Sequence, residues 1–302
     1  MIGRFAPSPT GPLHLGNLRT ALVAWLITRS GDGGYLVRME DLDRVTSSQL
    51  HEAEQLASLS SIGLDWDGEV VRQSDRFALY FEAIERLRAD GLVYECFCTR
   101  REIRLAAEAP HGPDPDGRYP GTCRDLGDRE RAALREAGRT PALRLRSDGR
   151  DETFADRFQG TYAGRVDDVV LQRNDGVPAY NLAVVVDDAD QGVTEVVRGD
   201  DLLSSTPSQI MLHRLLDLPI PCYGHIPLVL APDGSRLAKR HGAVTLDDLA
   251  ARGKSPGEVC ARLAASIGID ASEQPVMAGD LLDRFDPDLL PRTPWQLTAD
   301  EL

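Results

Sequence analysis

The sequence predicts an α/β fold in which a doubly wound parallel sheet carries an insertion and is followed by a small helical region. Short apolar segments alternate with amphipathic segments over about the first ninety residues, as in chains that build parallel sheets covered by helices. This alternation stops near Cys96 and resumes near Glu195, which indicates an insertion between two halves of one sheet. After Thr245 the pattern is helical to about Ile269, so a helical C-terminal region is predicted.

The first half of the sheet follows two periodicities, one typical of strands and one typical of helices. Residues 2–6 are short and apolar, and residues 7–12 are rich in proline and glycine, which favours a strand followed by a turn. The remaining elements of this half are predicted in the same way, and in order they are a helix at residues 15–26, a strand at residues 35–39, a helix at residues 50–62 capped by Thr46 or Ser47, and a helix at residues 77–87.

The middle of the chain contains mostly strand patterns. Residues 109–121 are rich in Pro, Gly and Asp, which indicates a loop. Strands are predicted at residues 143–146, 166–172 and 179–186, and the turn sequence Asn174-Asp175-Gly176 predicts a hairpin between the last two. The second half of the sheet then comprises a strand at residues 195–198, a helix opened by Thr206-Pro207, and a strand at residues 226–230.

The composition is that of an ordinary globular protein with an acidic surface. The 302 residues carry a formal net charge of −14, and no apolar run is long enough to span a bilayer. No secretory signal precedes the first predicted strand, so we expect a cytoplasmic protein without a membrane partner. We also expect a monomer. The acidity argues against a nucleic-acid partner, but a local basic patch can coexist with an acidic remainder.

The segment that follows the first predicted strand is suited to binding an anion. It reads Arg4-Phe5-Ala6-Pro7-Ser8-Pro9-Thr10-Gly11-Pro12-Leu13-His14-Leu15-Gly16-Asn17. A turn that leads into a helix exposes free backbone N–H groups and the positive end of the helix dipole. Gly16 lets a nucleotide approach the backbone closely, and His14 can donate a hydrogen bond to a phosphate. However, an isolated His-x-Gly is more often a capping or packing histidine.

A second motif, late in the chain, strengthens the prediction of a nucleotide site. Arg236-Leu237-Ala238-Lys239-Arg240 places three cations on a turn after a predicted strand. Such cations stabilise the charge that develops on a pyrophosphate as it leaves. A basic loop is usually only a solvated surface, but the two motifs in this order predict the two halves of one site.

These motifs resemble those of class I aminoacyl-tRNA synthetases, and the chain is similar to the glutamyl-tRNA synthetase branch along its length. Other matching segments are Met39-Glu40-Asp41-Leu42-Asp43, Gly63-Leu64-Asp65-Trp66-Asp67, Tyr180-Asn181-Leu182 and Val197-Arg198-Gly199-Asp200-Asp201. The resemblance implies a Rossmann-type sheet, ATP as co-substrate with Mg²⁺, and catalytic roles for His14 and Lys239. The ATP-binding residues that it implies are Pro7, Ser8, Thr10, Gly11, His14, Gly16, Asn17, Arg236, Leu237, Lys239 and Arg240.

The same resemblance implies a pocket for L-glutamate. Its residues are Arg4, Phe5, Ala6, Pro7, Ser8, Glu40, Tyr180 and Arg198. The chemistry is suitable, because the two carboxylates of glutamate can pair with Arg4 and Arg198, and its ammonium can pair with Glu40. Any one of these charges alone would more often form a surface ion pair, but Glu40 and Arg198 lie at predicted strand ends, where α/β sheets bind ligands.

The late motif departs from the pattern Lys-Met-Ser-Lys-Ser of this class. Arg236 replaces the first Lys, Ala238 the first Ser, and Arg240 the last Ser. The cations of the motif are kept, and the hydroxyl group at the position of Ala238 is lost. We interpret these changes as variation within an active site.

Three of the five cysteines have the spacing of a metal site. Cys96-Phe97-Cys98 brings two thiols together, and Cys123 supplies a third from across the predicted loop. His111 or a carboxylate could complete such a site. The resemblance to the glutamyl-Q-tRNA(Asp) synthetase family implies instead that Tyr119 is the fourth ligand of one structural Zn²⁺. Three buried thiols without metal are the simpler alternative, and Cys222 and Cys260 are predicted to be ordinary buried residues.

The length of the chain also indicates this family. About sixty residues follow Gly242, too few for the helical anticodon-binding region of full glutamyl-tRNA synthetases. The resemblance implies activation of L-glutamate with ATP in the absence of tRNA, then transfer to the queuosine base of tRNA(Asp). A truncated glutamyl-tRNA synthetase that charges the 3′ end and a catalytically silent RNA-binding paralogue are the alternatives. The expected domains are the first half of the sheet at 1–95, the zinc-bearing insertion at 96–190, the second half at 191–242 and a helical region at 243–302.

Overall fold

The computed structural model describes residues 1–99, 101–103, 119–237, 245–271 and 274–298. Its strands are β1 (Ile2–Phe5), β2 (Gly34–Met39), β3 (Val71–Arg72), β4 (Val93–Cys96), β5 (Ala142–Leu145), β6 (Asp151–Asp156), β7 (Gly160–Arg165), β8 (Val170–Gln172), β9 (Glu195–Gly199), β10 (Cys222–Ile226), β11 (Val229–Leu230) and β12 (Trp295–Gln296). Its α-helices are α1 (Leu15–Arg29), α2 (Gln49–Ser61), α3 (Phe77–Ala89), α4 (Asp128–Glu136), α5 (Tyr180–Asp190), α6 (Thr206–Leu215), α7 (Leu246–Ala251) and α8 (Pro256–Ser266).

A seven-stranded sheet forms the centre of the fold, in the order β3-β2-β1-β9-β10-β6-β7. Neighbouring strands are parallel except for the hairpin of β6 and β7 at one edge. The α/β class predicted from the sequence is thereby confirmed. The chain first adds strands outward from β1 to β3 and later places β9 on the other side of β1. This reversal between β1 and β9 is the place where open α/β sheets bind ligands, beyond the carboxyl ends of the strands.

Helices cover both faces of this sheet because side chains alternate along each strand. Tyr35 and Val37 on β2 belong to a core with the buried side chains of α1. Leu36, between them, packs on the opposite face with Ile210 of α6. The contact of α1 with the sheet is close: a Cβ on Gly3 would lie 2.0 Å from Oγ1 of Thr28. Helix α1, which begins at the predicted anion-binding turn, is therefore fixed directly against β1.

The segment between the halves of the sheet contributes to two sheets. Strands β4, β5 and β8 form a separate antiparallel sheet of three strands. Strands β6 and β7, which the sequence patterns did not reveal, extend the large sheet, although they fall within the predicted insertion at 96–190. The proposed domain boundaries themselves stay a prediction.

The prediction of a strand at residues 179–186 is wrong, because these residues belong to helix α5. A continuous apolar run fits a buried helix as well as a buried strand, and its valines misled the prediction toward a strand. The helix also buries the carboxylates of Asp187 and Asp188 beneath the sheet, where arginines pair with them. The predicted hairpin is reduced to an antiparallel bridge between Gln172 and Pro178.

Other differences concern the ends of elements. Ser48, rather than Thr46 or Ser47, caps α2 and accepts from the N–H of His51 at 3.1 Å. The strand predicted at residues 226–230 is divided between the end of β10 and β11. The C-terminal region contains the two helices α7 and α8, and β12 pairs with β11. Within the described ranges, no helix has the length and apolar character needed to cross a membrane.

Candidate functional site

A cavity of about 550 Å³ lies beyond the carboxyl ends of β1 and β9. It contains most of the residues that the sequence singled out. The predicted residues that line it are Phe5, Ala6, Pro7, Ser8, Thr10, Gly11, His14, Gly16, Asn17, Glu40, Tyr180 and Arg198. Thr20, Gln55, Asp201, Leu202, Leu228 and Val229 also line it, and the sequence patterns did not predict them.

The turn between β1 and α1 is held in place from outside. The amide of Gln55, on α2, donates to the carbonyl oxygens of Ser8 at 3.0 Å and Gly11 at 2.7 Å. The backbone N–H of Glu40 donates to the oxygen of Pro7, and that of Ser48 to the oxygen of Pro9. These bonds fix a turn that has no regular secondary structure of its own. Because Gln55 is one polar residue on an amphipathic helix, its sequence context gave no indication of this role.

His14 is the N-cap of α1 and also lines the cavity. The capping role and the ligand-binding role considered from the sequence are therefore compatible. Its Nδ1 accepts from the N–H of Asn17 at 3.3 Å, while the side chain of Asn17 accepts from the N–H of His14 at 3.2 Å. Burial lowers the pKa of His14, so the ring is neutral at pH 7. With Nδ1 accepting, the proton lies on Nε2, which is therefore a donor. Because His14 lines the cavity, the cap holds this ring in place beside it.

Gly16 makes room for the His14 ring. A Cβ on Gly16 would lie 2.9 Å from Cε1 and 3.0 Å from Nδ1 of that ring. Any side chain at this position would displace the imidazole or the backbone. Gly16 is thus needed for the packing of His14, in addition to the close approach of a ligand expected from the sequence.

Arg236 and Leu237, the described part of the late motif, lie beside the cavity and do not line it. Leu228 and Val229 line the cavity, and Arg236 forms an ion pair with Asp201 at 3.4 Å. Leu237 is buried in the core, and the backbone of Thr245 forms an antiparallel bridge with His14. The predicted residues Lys239 and Arg240, together with Ala238, lie outside the described residues. The described residues end at Leu237 and resume at Thr245, which lies beside His14.

Arg198 is a buried cation whose close partners are uncharged. It is 5% exposed, and it donates to Nε2 of His225 at 3.0 Å, Oγ1 of Thr206 at 2.9 Å and Oε1 of Gln209 at 2.7 Å. Its Nη1 is buried and has no hydrogen-bond partner among the described residues. Since the side chain lines the cavity, this guanidinium is oriented and is available to an anionic ligand.

Arg4, the other guanidinium predicted for the ligand, is in a different situation. It does not line the cavity, and its Nε and Nη2 donate to the carboxylate of Asp188 at 3.2 and 3.4 Å. Asp188 also pairs with Arg38 at 2.8 Å. Although burial works in the opposite direction, Arg4 and Arg38 hold the pKa of Asp188 at about 2. The charge of Arg4 is therefore largely neutralised by the protein itself.

Glu40 and Tyr180 supply a carboxylate and a phenol to the wall of the cavity. Glu40 lies 3.5 Å from Arg38, and burial raises the pKa of its carboxyl group. A bound ammonium group would favour the ionised form of Glu40. Tyr180 is the first residue of α5, and burial raises the pKa of its phenol, which stays protonated. The cavity thus presents a cation, an acid and a hydroxyl group at one end.

A second cavity, of about 1050 Å³, adjoins the first. The two share Ser8, Glu40 and Tyr180 as lining residues. From there the second cavity extends to the cysteine cluster and is bordered by three arginines, namely Arg139, Arg144 and Arg173. The candidate site therefore has two compartments that meet at Glu40 and Tyr180.

Three cysteines form a cluster that could hold a metal ion. The Sγ atoms of Cys96, Cys98 and Cys123 all lie within 4.8 Å of one another. The hydroxyl of Tyr119 lies 3.3 Å from Sγ of Cys96 and 3.9 Å from Sγ of Cys98. Tetrahedral coordination by thiolates at about 2.3 Å requires sulfur atoms about 3.8 Å apart. The Sγ atoms of Cys98 and Cys123 lie 3.5 Å apart, close to that value.

The thiols of the cluster are shifted in opposite directions: although burial opposes it, hydrogen bonds from the Phe97 N–H and from neighbouring groups lower the pKa of Cys123. Burial, followed by the effect of the neighbouring thiols, raises the pKa of Cys98 to about 12. Several thiolates this close together need a positive charge between them. His111, the alternative ligand, lies outside the described residues. The prediction that Cys222 is buried is wrong, because it lies exposed at the start of β10, whereas Cys260 is buried as expected.

Comparisons with known proteins agree with this geometry. A family model for the catalytic domain of class I tRNA synthetases (E and Q) matches residues 1–298. The glutamyl-Q tRNA(Asp) synthetase of Nocardia farcinica is 59% identical over 300 residues, which cover 99% of this chain and 94% of that protein. The glutamate–tRNA ligase of Oleidesulfovibrio alaskensis is 41% identical over 300 residues, which cover 97% of this chain and 62% of that protein. The crystal structure of a glutamate–tRNA synthetase from Elizabethkingia anophelis matches with a TM-score of 0.83 and 26% identity, covering all of this chain and 68% of that one.

Proposed function

Because the chain belongs to the class I tRNA synthetases and, within them, to the glutamyl-Q tRNA(Asp) synthetases, we propose that it activates L-glutamate with ATP and transfers the glutamate to the queuosine base of tRNA(Asp). The higher identity to the Nocardia relative than to the glutamate–tRNA ligase supports the base, rather than the 3′ end, as the acceptor. The single observation that carries the amino-acid part is that buried Arg198 lines the cavity while its Nη1 has no hydrogen-bond partner in the described part of the chain.

Glutamate occupies the end of the cavity near Arg198. One of its carboxylates binds Nη1 of Arg198, and its ammonium group binds Glu40, with Tyr180 donating a hydrogen bond between them. Arg4 contributes less directly than the sequence suggested, because Asp188 already pairs with it. Arg4 lies outside the lining of the pocket, but its charge still favours the ionised form of Glu40.

ATP occupies the other end, between the N-terminus of α1 and the late motif. The carboxylate of glutamate attacks the α-phosphate in line, forming glutamyl-adenylate and releasing pyrophosphate. Nε2 of His14 donates to the phosphate, and the free N–H groups at the start of α1 add positive potential. Lys239 and Arg240 complete the charge stabilisation, and Mg²⁺ accompanies the nucleotide. Catalysis rests on positioning and preorganised electrostatics.

Cys96, Cys98, Tyr119 and Cys123 hold one structural Zn²⁺. Support for this proposal comes from the three clustered thiols and from the nearness of the Tyr119 hydroxyl to two of them. The ion would fix β4 to the segment after the loop, and so would shape the wall of the second cavity. That cavity gives the acceptor base a route to the activated carboxyl group. Because ATP and tRNA are cytosolic, we also propose that the protein is cytoplasmic, and we propose that it acts as a monomer.

The direct test is glutamate-dependent exchange of pyrophosphate into ATP without any RNA. We expect exchange by the wild-type protein and its loss in Glu40→Gln, with Glu85→Gln as a matched control on the exposed surface of α3. Exchange that appears only after tRNA is added would favour a truncated glutamyl-tRNA synthetase. No exchange under either condition would contradict the proposed activity and favour a silent paralogue.

A further inference from the structure

Arg198 is oriented by a chain of three buried side chains that ends in a carboxylate. Asp156 lies at the end of β6, His225 on β10 and Arg198 on β9, which are neighbouring strands of the large sheet. Asp156 is 4% exposed, His225 is 0% exposed and Arg198 is 5% exposed. Neither Asp156 nor His225 lines either of the two cavities described above. Nε2 of His225 contacts Arg198 and Thr206, and of these two only Arg198 lines the cavity, so the direct path from His225 to a ligand runs through Arg198.

The hydrogen bonds determine the tautomer of His225. Nδ1 lies 2.5 Å from Oδ2 of Asp156, which only accepts, so Nδ1 carries the proton. Nε2 then has a lone pair, and it accepts from Nε of Arg198 at 3.0 Å. Burial is the main cause that lowers the pKa of His225, which keeps the ring neutral at pH 7. The direction of donation thus runs from Arg198 to His225 to Asp156.

Asp156 is itself fixed by the backbone. Its Oδ1 accepts from the N–H groups of Phe158 and Gln159, both at 2.9 Å, and from the N–H of His225 at 3.1 Å. These bonds leave Oδ2 directed at the imidazole. The carboxylate therefore cannot turn toward Arg198, and the imidazole ring stays between the two charges.

This arrangement keeps the charge of Arg198 available. Arg4 shows the alternative, because Asp188 contacts its guanidinium directly and neutralises it. An arginine with a direct carboxylate partner attracts a second carboxylate less strongly, whereas a neutral imidazole orients the guanidinium without cancelling its charge. The same site would then discriminate between a carboxylate and an uncharged amide of the same shape.

We propose that Asp156 and His225 are positioning residues that align Arg198 for the substrate carboxylate and thereby set the preference for glutamate over glutamine. The proposal rests on the proposed function of the cavity. Thr206 and Gln209 hold Nη2 of the same guanidinium, so the relay fixes the remaining rotation about the side chain. Nη1 is then left without a hydrogen-bond partner among the described residues, in a side chain that lines the cavity.

The sharpest test is Asp156→Asn, which keeps the size of the side chain. The Asn Oδ1 can still accept from the backbone, but its Nδ2 donates, so the ring of His225 must place its proton on Nε2. The Nε2–H of His225 and the Nε–H of Arg198 are then both donors, so the hydrogen bond between the two side chains is lost. We expect KM for glutamate to rise at least 10-fold in RNA-free exchange, with KM for ATP and kcat changed less than 3-fold. The preference for glutamate over glutamine should fall by a similar factor.

Two variants of His225 provide rescue and control. His225→Leu removes the acceptor and should resemble Asp156→Asn, whereas His225→Gln offers an oxygen near the position of Nε2 and should recover most of the affinity for glutamate. Calorimetric titration with glutamate gives a second readout that needs no catalysis and would be used if a variant loses activity.

The outcomes separate the two proposals. If the wild-type protein shows no pyrophosphate exchange, the proposed function is contradicted. If the wild-type protein also fails to bind glutamate, the positioning role of Asp156 and His225 is contradicted as well. An active wild type with an unchanged KM for glutamate in Asp156→Asn and His225→Leu overturns the positioning role alone. So does a parallel loss for glutamate and ATP, because that would show general damage to the fold.

Discussion

The substitution Gly16→Ala should reduce catalytic activity strongly while it reduces folding stability only slightly. The new Cβ would lie 2.9 Å from Cε1 and 3.0 Å from Nδ1 of His14, and 3.5 Å from Cβ of Val229. Contacts under 3.0 Å require movement, and the exposed side of the His14 ring faces the cavity, so the ring is the group that moves. The bond between Nδ1 and the N–H of Asn17, already 3.3 Å long, would then break.

The cost in folding stability is small because two effects oppose each other. Loss of the cap costs about 1 kcal/mol, and crowding costs about 1 kcal/mol more. Replacing glycine by alanine in a helix returns about 1 kcal/mol, which leaves a net loss of about 1 kcal/mol and a fall in Tm of about 2 °C. The effect on catalysis is larger, since a donor displaced by about 1 Å costs about 100-fold in rate.

RNA-free pyrophosphate exchange and thermal unfolding should therefore be measured on the same preparation. We expect kcat for exchange to fall about 100-fold while Tm changes by only about 2 °C. Gly279→Ala is the matched control, because a Cβ there meets no atom within 4 Å. Full activity in Gly16→Ala would refute the packing argument and the role of His14 together.

Three further predictions concern the metal cluster, the buried ion pairs and the contact of β1 with α1. Cys123→Ser should lower bound zinc, measured by plasma mass spectrometry, from one ion per chain to nearly none, while RNA-free exchange stays within about 3-fold because the cluster lies outside the smaller cavity. The pKa of Asp188 is about 2 in the folded protein and near 4 in the unfolded chain. The ionised carboxylate therefore stabilises the fold above about pH 4, and about 2 kcal/mol of the free energy of unfolding is lost as the pH falls from 4 to 2. Urea midpoints should show that loss in the wild type and a smaller one in Asp188→Asn; equal losses would contradict the ion pairs. Gly3→Ala should destabilise the fold by about 2 kcal/mol, and Thr28→Ala should relieve most of that cost in a double-mutant cycle, because the clash is with Oγ1 of Thr28.

The position of the cavity could be predicted from the sequence because the short motifs that line it determine their own local structure. A proline- and glycine-rich turn before a helix specifies its own geometry, so all residues between 7 and 17 except Pro9 and Leu15 line the cavity, as the motif suggested. Glu40 and Arg198 follow from their positions at strand ends, which the sheet topology brings together. The close grouping of Tyr119 with three thiols is likewise consistent with the ligand set implied by resemblance.

What the sequence could not reveal depends on contacts between distant residues. The partner of Arg4 is Asp188, which lies 184 positions away on a helix whose valines indicated a strand. The bond between Asp156 and His225 joins two strands 69 positions apart, and one of those strands was not predicted at all. Neither residue belongs to a local motif. Only the order of strands places them beside Arg198.

The most direct test of the proposed activity is the transfer of labelled glutamate to four forms of tRNA(Asp). These forms either carry queuosine or lack it, and either keep or lack the 3′-terminal adenosine. We predict label on both queuosine-containing forms, whatever their 3′ end, and none on the forms without queuosine. Label that follows the intact 3′ end, and does not depend on queuosine, would contradict transfer to the base.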